Sequence, residues 1–396
     1  MSGQADMSWF KHLAATLASA LRDQGALLML LVAPVIYSFF YPWPYSTQAL
    51  QRVPVAIVDQ DQSSLSRQIV RFAQASPRLD LSVVSADEAE ARALMARRQI
   101  EGYVLLPAGM KRDVGRGQAV TLPVLADGAY FLTNKVVLSG FGEVIGTVSA
   151  GAELKTLKAR GQPPLQAEQS RSPLNVQLIA LYNPSEGYGS YVVPAVAVLI
   201  IQQLLLIGTA LWVGTWFESR PRAGEPEATR DNSLTAWSAR IAAFALFGLL
   251  SAAWYFGLMF PWLGYPHGGN NAGLTLLLLP FCWGVAALGV ALGALFADRE
   301  RAMQALLCTS LPIAFIAGFS WPRESLPAAL QTLGDAVPAV VGIQAFLRLN
   351  QMGAPLEAVA PYGWTLLAQA AAFTLLAAWA VQRRLRRSGG QPAALG

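Results

Sequence analysis

Few side chains in this sequence are matched in type and spaced closely enough to react together. Asp59 and Asp61, within Asp59–Ser64 (DQDQSS), place two carboxylates two residues apart. Such a pair can serve as acid and base or hold a cation. The same residues between a strand and a helix more commonly make a turn and a cap, so no chemistry is assigned to them. The two histidines, His12 and His267, are 255 residues apart, and no HExxH site, Cys/His cluster or GxSxG elbow is present. A Walker A loop ends in Gly-Lys-Ser/Thr. Here the only Lys followed by Ser or Thr is Lys155-Thr156, with Leu154 before it, so the chain does not bind ATP through that motif. Cys282 and Cys308 lie in apolar runs and read as small buried hydrophobes. No metal or cofactor is expected in this chain.

A second set of residues is polar without being charged. Gln202 and Gln203 sit in the middle of one apolar run, Gln304 and Gln369 lie in two others, and Tyr188 and Tyr191 stand where the first of these runs begins. They could line a route for an amphipathic substrate. Equally, glutamines at membrane depth bond between helices and tyrosines settle at the interface. Both readings remain open from the sequence.

These residues are positioned by a chain that is 54% hydrophobic and only 13% charged, against about a quarter charged for a soluble domain. Long stretches without Asp, Glu, Lys or Arg alternate with charged segments, as expected when bilayer is part of the solvent. Six stretches are long enough to cross: 25–43, 190–217, 241–262, 272–297, 302–319 and 362–381. The expected fold is a polytopic α-helical membrane protein with about six transmembrane helices and an inserted extracytoplasmic α/β domain. As drawn, the spans contain no Asp, Glu, Lys, Arg or His. Proton- and ion-coupled carriers usually keep such residues at membrane depth, so uphill movement here would draw on a partner's energy.

Basic residues orient the spans. Lys11 and Arg22 precede the first, Arg220, Arg222, Arg230 and Arg240 follow the second, Arg299 and Arg301 follow the fourth, and Arg383, Arg384, Arg386 and Arg387 follow the sixth. All fall on one side if both termini are cytoplasmic. The net charge of +5 is then juxtamembrane anchoring rather than a nucleic-acid surface. The organisation is 1–24, a cytoplasmic interfacial helix; 25–44, the first span, uncleaved; 45–189, the extracytoplasmic domain; 190–382, spans two to six with an outer re-entrant or interfacial region at 320–361; and 383–396, a basic cytoplasmic tail. Within 1–24, Trp9, Phe10, Leu13, Leu17 and Leu21 recur at helical spacing over 7–21, predicting an amphipathic helix on the membrane face.

Inside 45–189, strands are expected at 53–59, 79–84, 102–106, 120–126 and 174–182. Helices are expected after Asp61 or Ser63 to about 75, from a capping box at Ser85–Glu88 to about 98, and over 130–160. Residues 161–173 read as a linker. Alternating strands and helices point to a compact α/β domain of about 140 residues, enough for its own core.

The order of these parts resembles the permease subunit of a type-2 ATP-binding-cassette exporter with a large extracytoplasmic insert. An interfacial helix precedes a Pro-containing first span, and VPVAIVDQDQSSLSRQIV opens the insert. Tyr182-Asn183-Pro184 lies before the second span, with Tyr191-Val192-Val193-Pro194 at its start. Gly318–Pro327 (GFSWPRESLP) follows the fifth span, then Pro338 and Gln351-Met352-Gly353. The match covers nearly the whole chain and rests mainly on order and topology. In such permeases the loop after the second span carries an Arg/Glu-Gly-Thr-hydrophobic-Glu stretch that helps form a coupling helix. Here Glu218 and Arg220 retain part of it, while Pro221 and Pro226 interrupt it.

The resemblance implies one half of an exporter, acting as a homodimer or with a similar chain, for an amphipathic substrate moved out of the cytoplasm or inner leaflet. A separate cytoplasmic ATPase subunit, carrying ATP and Mg, would contact the interfacial helix, the 218–236 loop and Asp298–Arg301. The ATPase-coupling candidates are Glu218, Arg220, Arg222, Asp298, Arg299 and Glu300. The substrate-path candidates are Gln202, Gln203, Tyr188 and Tyr191. Membrane lipid is a further partner, and the outer domain either guides substrate outward or docks a periplasmic adaptor. The alternative is a non-transporting membrane protein whose outer domain binds a ligand or protein.

Overall fold

The computed structural model describes residues 8–48, 50–159, 161, 163, 181–219, 231–296 and 298–389. The chain forms two compact units, Ala49–Ile179 and a second made of Met1–Gln48 with Ala180–Gly396. Arg220 and Arg222 lie outside the described residues. So does most of the strand expected at 174–182, whose described remainder, Leu181 and Tyr182, lies in a turn.

In the helical unit, α1 (Trp9–Arg22) leads into α2 (Gln24–Tyr45), and after the insert follow α7 (Tyr188–Ser219), α8 (Leu234–Trp262), α9 (Asn271–Phe296), α10 (Arg299–Ile316), α11 (Ala328–Asp335), α12 (Pro338–Asn350) and α13 (Leu356–Gly389). Among the described residues, α2, α7, α8, α9 and α13 are long and apolar enough to cross a membrane. At the expected fifth span, α10 starts three residues early because Asp298 caps it. Its first turn is charged, which leaves it less apolar than the others. The expected outer region at 320–361 contains α11 and α12, bent by 85° against each other.

Helix α7 is the axis of this unit, buried along nearly its whole length, with α2, α8, α9, α10 and α12 around it. Helix α9 can lie directly against it because Gly289 and Gly293, spaced as GxxxG, leave room for the α7 backbone. A Cβ at Gly289 would stand 2.7 Å from the Thr209 Cβ, and one at Gly293 would stand 2.9 Å from the Ala210 carbonyl oxygen.

Several boundaries correct the sequence expectations. Ser233 Oγ accepts from the Ala236 amide at 3.1 Å, so α8 begins well before 241 and Arg240 lies inside it rather than in a loop. The arginines at 383–387 continue α13 instead of forming a separate tail. Cys282 is buried, but Cys308 is exposed on α10. Helix α1 buries His12, Thr16 and Ala20, while Phe10 is 74% exposed and Leu21 is exposed too. One face of α1 therefore packs on the bundle and the expected apolar stripe flanks it.

The other unit is built on a sheet of β1 (Val53–Asp59), β2 (Leu79–Ser85), β3 (Gly102–Leu106) and β4 (Val124–Ala126) in the order β2-β1-β3-β4. The first three are parallel and β4 is antiparallel to β3. Between them run α3 (Ser64–Ala75), α4 (Glu88–Ala96) and α5 (Met110–Gly115), and α6 (Phe131–Ala159) follows β4. Along β1, Val53, Val55 and Ile57 bury on one face with Ile69, Phe141 and Val144, and Ala56 and Val58 bury on the other with Ala91 and Tyr103. A central strand covered on both faces reads as a continuous apolar run, as this one does.

Three local readings shift here, the first being the strand expected at 120–126, which is confined to Val124–Ala126. Asp87, not Ser85, caps α4, its Oδ1 accepting from the Ala89 amide at 2.8 Å. The short α5 was not foreseen. Asp59 accepts from the Asp61 amide, the Gln62 amide and Ser66 Oγ at 3.1, 2.8 and 2.7 Å, so DQDQSS is a turn and cap.

Replacing Gly289 with Leu forces α9 from α7 and is expected to destabilise the helical unit by about 1–3 kcal/mol. Gly257→Leu is the control, since a Cβ there meets nothing within 4 Å. Thermal unfolding in detergent, followed by size-exclusion profile, checks both.

Candidate functional site

The candidate coupling residues that the structure describes meet at one end of the helical unit. Asp23 opens α2, its Oδ1 accepting from the Ala26 amide at 2.9 Å and lying 3.7 Å from the Arg299 guanidinium. Glu218, at the end of α7, accepts from the Arg299 amide at 2.9 Å through Oε1. Asp298 caps α10 by accepting from the Glu300 and Arg301 amides at 2.9 and 3.1 Å. Glu300 lies in that first turn, where negative charge complements the helix dipole. Three helix ends are thus joined through one residue, Arg299. Glycines permit the approach: a Cβ on Gly25 would stand 2.5 Å from the Arg299 guanidinium, and one on Gly214 would stand 3.0 Å from Arg299 Cα. The Asp23–Arg299 pair is partly exposed and contributes about 1 kcal/mol or less, so geometry rather than energy is its role.

Beside this junction is a cluster that sequence reasoning missed. His12 Nε2 lies 3.1 Å from Asp231 Oδ2, tying α1 to the start of α8. Arg240, 1% exposed, donates to the Asp231 carbonyl at 2.7 Å, and its guanidinium lies 4.4 Å from the Trp237 ring centre and 5.2 Å from that of Trp216. Trp212 Nε1 donates to Ser19 Oγ at 3.1 Å and Trp9 Nε1 to Ser238 Oγ at 3.2 Å. Burial pushes the Asp231 carboxyl up, but the Ser233 amide and hydroxyl, His12 and Arg240 together outweigh it and hold it below the usual carboxylate range. Tryptophans flanking basic residues at a span boundary were the available signal.

The substrate-path candidates divide. Gln202, 2% exposed, accepts through Oε1 from the Ala339 amide at 2.5 Å, at the start of α12. Gln203 Nε2 donates to Ser310 Oγ at 2.7 Å, Thr309 Oγ1 at 3.2 Å and the Leu306 carbonyl at 3.3 Å, all on α10. Both amides are engaged between helices, the second of the two readings their positions allow. Gln369 does the same at the end of α11, donating to the Asp335 carbonyl at 2.7 Å, whereas Gln304 is exposed on α10.

Tyr188 and Tyr191 lie at the opposite end from Arg299. Tyr45, Tyr188 and Tyr191 form a ring ladder with centres 5.3 and 6.2 Å apart, and Tyr191 donates to the Phe319 carbonyl. Tyr191 is half exposed, so the ladder has an open side.

The loose motifs acquire causes at this end. Asn183 of the Tyr-Asn-Pro element bridges to Gly187, donating to its carbonyl at 2.9 Å and accepting from its amide at 3.2 Å. Gln48 Oε1 accepts from the Ser190 amide and hydroxyl at 2.9 and 3.0 Å, closing the end of α2 on the start of α7. Gln351 Nε2 donates to the Ser190 carbonyl at 2.8 Å. Gly353 has φ +62° and lies against Gly268, where a Cβ would stand 2.1 Å from the Gly353 nitrogen. Only glycines accommodate that crossing.

A family model described as "ABC-2 family transporter protein" matches residues 25–379. The chain belongs to the ABC-2 transporter family. Similar curated proteins carry the same sense. The inner membrane transport permease YhhJ of Escherichia coli strain K12 is 24% identical over 372 residues, covering 91% of this chain and 93% of its own. The probable multidrug ABC transporter permease YbhR of the same strain is 23% identical over 324 residues, covering 80% and 82%. This ABC-2 protein is a transmembrane permease subunit of an ABC transporter, multi-pass in a bacterial inner membrane. Permeases of this kind work with a partner ATPase subunit.

Two outcomes follow for this permease. Gln202→Leu leaves the buried Ala339 amide without its acceptor and is expected to cost about 1–3 kcal/mol, read as thermal stability against Gln304→Leu. Asp231 has a depressed folded pKa, so its contribution is complete above the ordinary carboxylate value of about 3.9 and is lost as pH falls through the folded value. The stability difference between the native chain and Asp231→Asn should therefore hold at neutral pH and close on acidification; a pH series of melting curves checks it.

Proposed function

We propose that this chain is one half of an ATP-driven exporter that moves an amphipathic substrate out of the cytoplasm or inner leaflet. A second copy or a similar chain supplies the other half. A separate cytoplasmic ATPase binds ATP and Mg and supplies the energy, and this chain contributes no ATP hydrolysis of its own. Both termini are cytoplasmic, the α/β unit is extracytoplasmic, and lipid surrounds the exposed apolar faces. The α/β unit guides substrate outward or docks a periplasmic adaptor.

One observation carries the reading: the end of α7 and the beginnings of α2 and α10 converge on Arg299, at the end of the bundle that also holds α1 and Asp231. The clustering of basic residues at this end supports its cytoplasmic placement. An ATPase pressing on Glu218, Arg220, Arg222, Asp298, Arg299 and Glu300 would shift three helices at once. Such a partner drives a switch only by binding one arrangement better than the other. The half-exposed tyrosine ladder at the far end supports a path for a substrate with an apolar body, and the name of the YbhR relative, "probable multidrug", fits that class.

Purification of the tagged chain in gentle detergent tests this directly. A cytoplasmic ATPase should come down in about equal amount. Reversing charge at Glu218 and Arg220 together should weaken its capture by about tenfold, about 1.4 kcal/mol. A chain that purifies cleanly with no nucleotide-binding partner sinks the proposal.

A further inference from the structure

The α/β unit contains a cleft of about 630 Å³ where α3, α5 and α6 meet the 117–122 segment. Volumes of about 300–1,000 Å³ with mainly apolar walls are typical of small-molecule sites. Leu65 and Ile69 from α3, Met110 from α5 and Val148 from α6 form its floor and walls. Its polar groups are few, chiefly Gln118, Ser149 and Glu153. Among the described residues that line it, Glu153 alone is charged. Lys155 and Lys158 are also on α6 but do not line the cleft.

The arrangement has a physical consequence. An apolar body entering the cleft removes both its own surface and that of the walls from water. A carboxylate on the rim favours a head that donates a hydrogen bond or carries positive charge, and it disfavours an anion. We propose that this cleft is a ligand site for a lipophilic cation, with the apolar body between α3 and α6 and the cationic head at Glu153. The proposal goes beyond the transport reading and requires only the α/β unit as folded here.

Photolabelling of the full-length chain in nanodiscs tests it. The probe is a quaternary ammonium carrying a benzophenone, and labelled peptides are mapped by mass spectrometry, so labelling in the apolar helices is an internal reference. Labels are expected on α3, α5, 117–122 and 145–157, competed by unlabelled tetraphenylphosphonium. Ser149→Trp, which fills the cleft from an exposed position, should lower labelling there by about tenfold and leave labelling of the spans unchanged. Glu153→Gln should lower it by about threefold for the cation and not for an uncharged benzophenone of similar size.

Labelling confined to the spans, or insensitive to Ser149→Trp, overturns the proposal. Equal effects of Glu153→Gln on both probes overturn the cationic assignment. Labelling that appears only after 164–178 is replaced by a Gly-Ser stretch of equal length shows the chain filling its own cleft, and likewise overturns it. ATPase capture, measured on the same samples, should be unchanged by Ser149→Trp, which keeps a failure here distinct from a failure of the exporter reading.

Discussion

The hydrogen bond from the Ala339 amide to Gln202 Oε1 settles how a helix can begin inside the bundle. Helix α12 starts against the middle of α7, where its first amides are buried, and each left unsatisfied would cost about 1–3 kcal/mol. Pro338, at the first helical position, has no N–H to satisfy. Val340 and Val341 reach back to the Val337 carbonyl at 3.1 and 3.4 Å. Ala339 remains, and Gln202 takes it. Around that start, α11 and α12 are bent by 85°, Gln369 closes the end of α11 and Gln203 anchors α10.

Helix α7 therefore links two regions of opposite character. Midway it holds α12 and α10 through adjacent glutamines. At its last turn Glu218 meets Arg299, which also reaches Asp23. Between these points it is buried and packed closely on α9 over Gly289 and Gly293. A tightly packed helix transmits displacement along its axis, because packed interfaces have discrete arrangements and little compliance. In the proposed exporter, a partner that binds one arrangement of the Arg299 end better than the other would bias α7 along its length.

Much of this was legible in the sequence because bilayer and sheet each impose a strong pattern. The spans emerged from the absence of charge, and β1 from the short β-rich run Val53–Asp59. Ser63 was one of two cap candidates with Asp61, because a cap's partner is local, here the Ser66 amide at 3.2 Å. What escaped notice depends on partners distant in sequence. Arg240 looked like a loop residue because its burial relies on Trp216, Trp237 and the Asp231 carbonyl. Asp23 gained meaning only when Arg299, 276 residues later, came within 3.7 Å. The glutamines were ambiguous because an amide at membrane depth serves a helix end or a ligand equally well; the partners they have here, Ala339 for Gln202 and α10 for Gln203, lie more than 100 residues away in sequence.

Spin labels on exposed Leu333 of α11 and Leu276 of α9, in a Cys308→Ser background, measure the link most directly. The chain would be reconstituted with its co-purified ATPase, and label distances compared without nucleotide and with ATP trapped. The account predicts a shift in the native sequence that is lost in Gln202→Leu. A shift of equal size in both, or none in either, would contradict it.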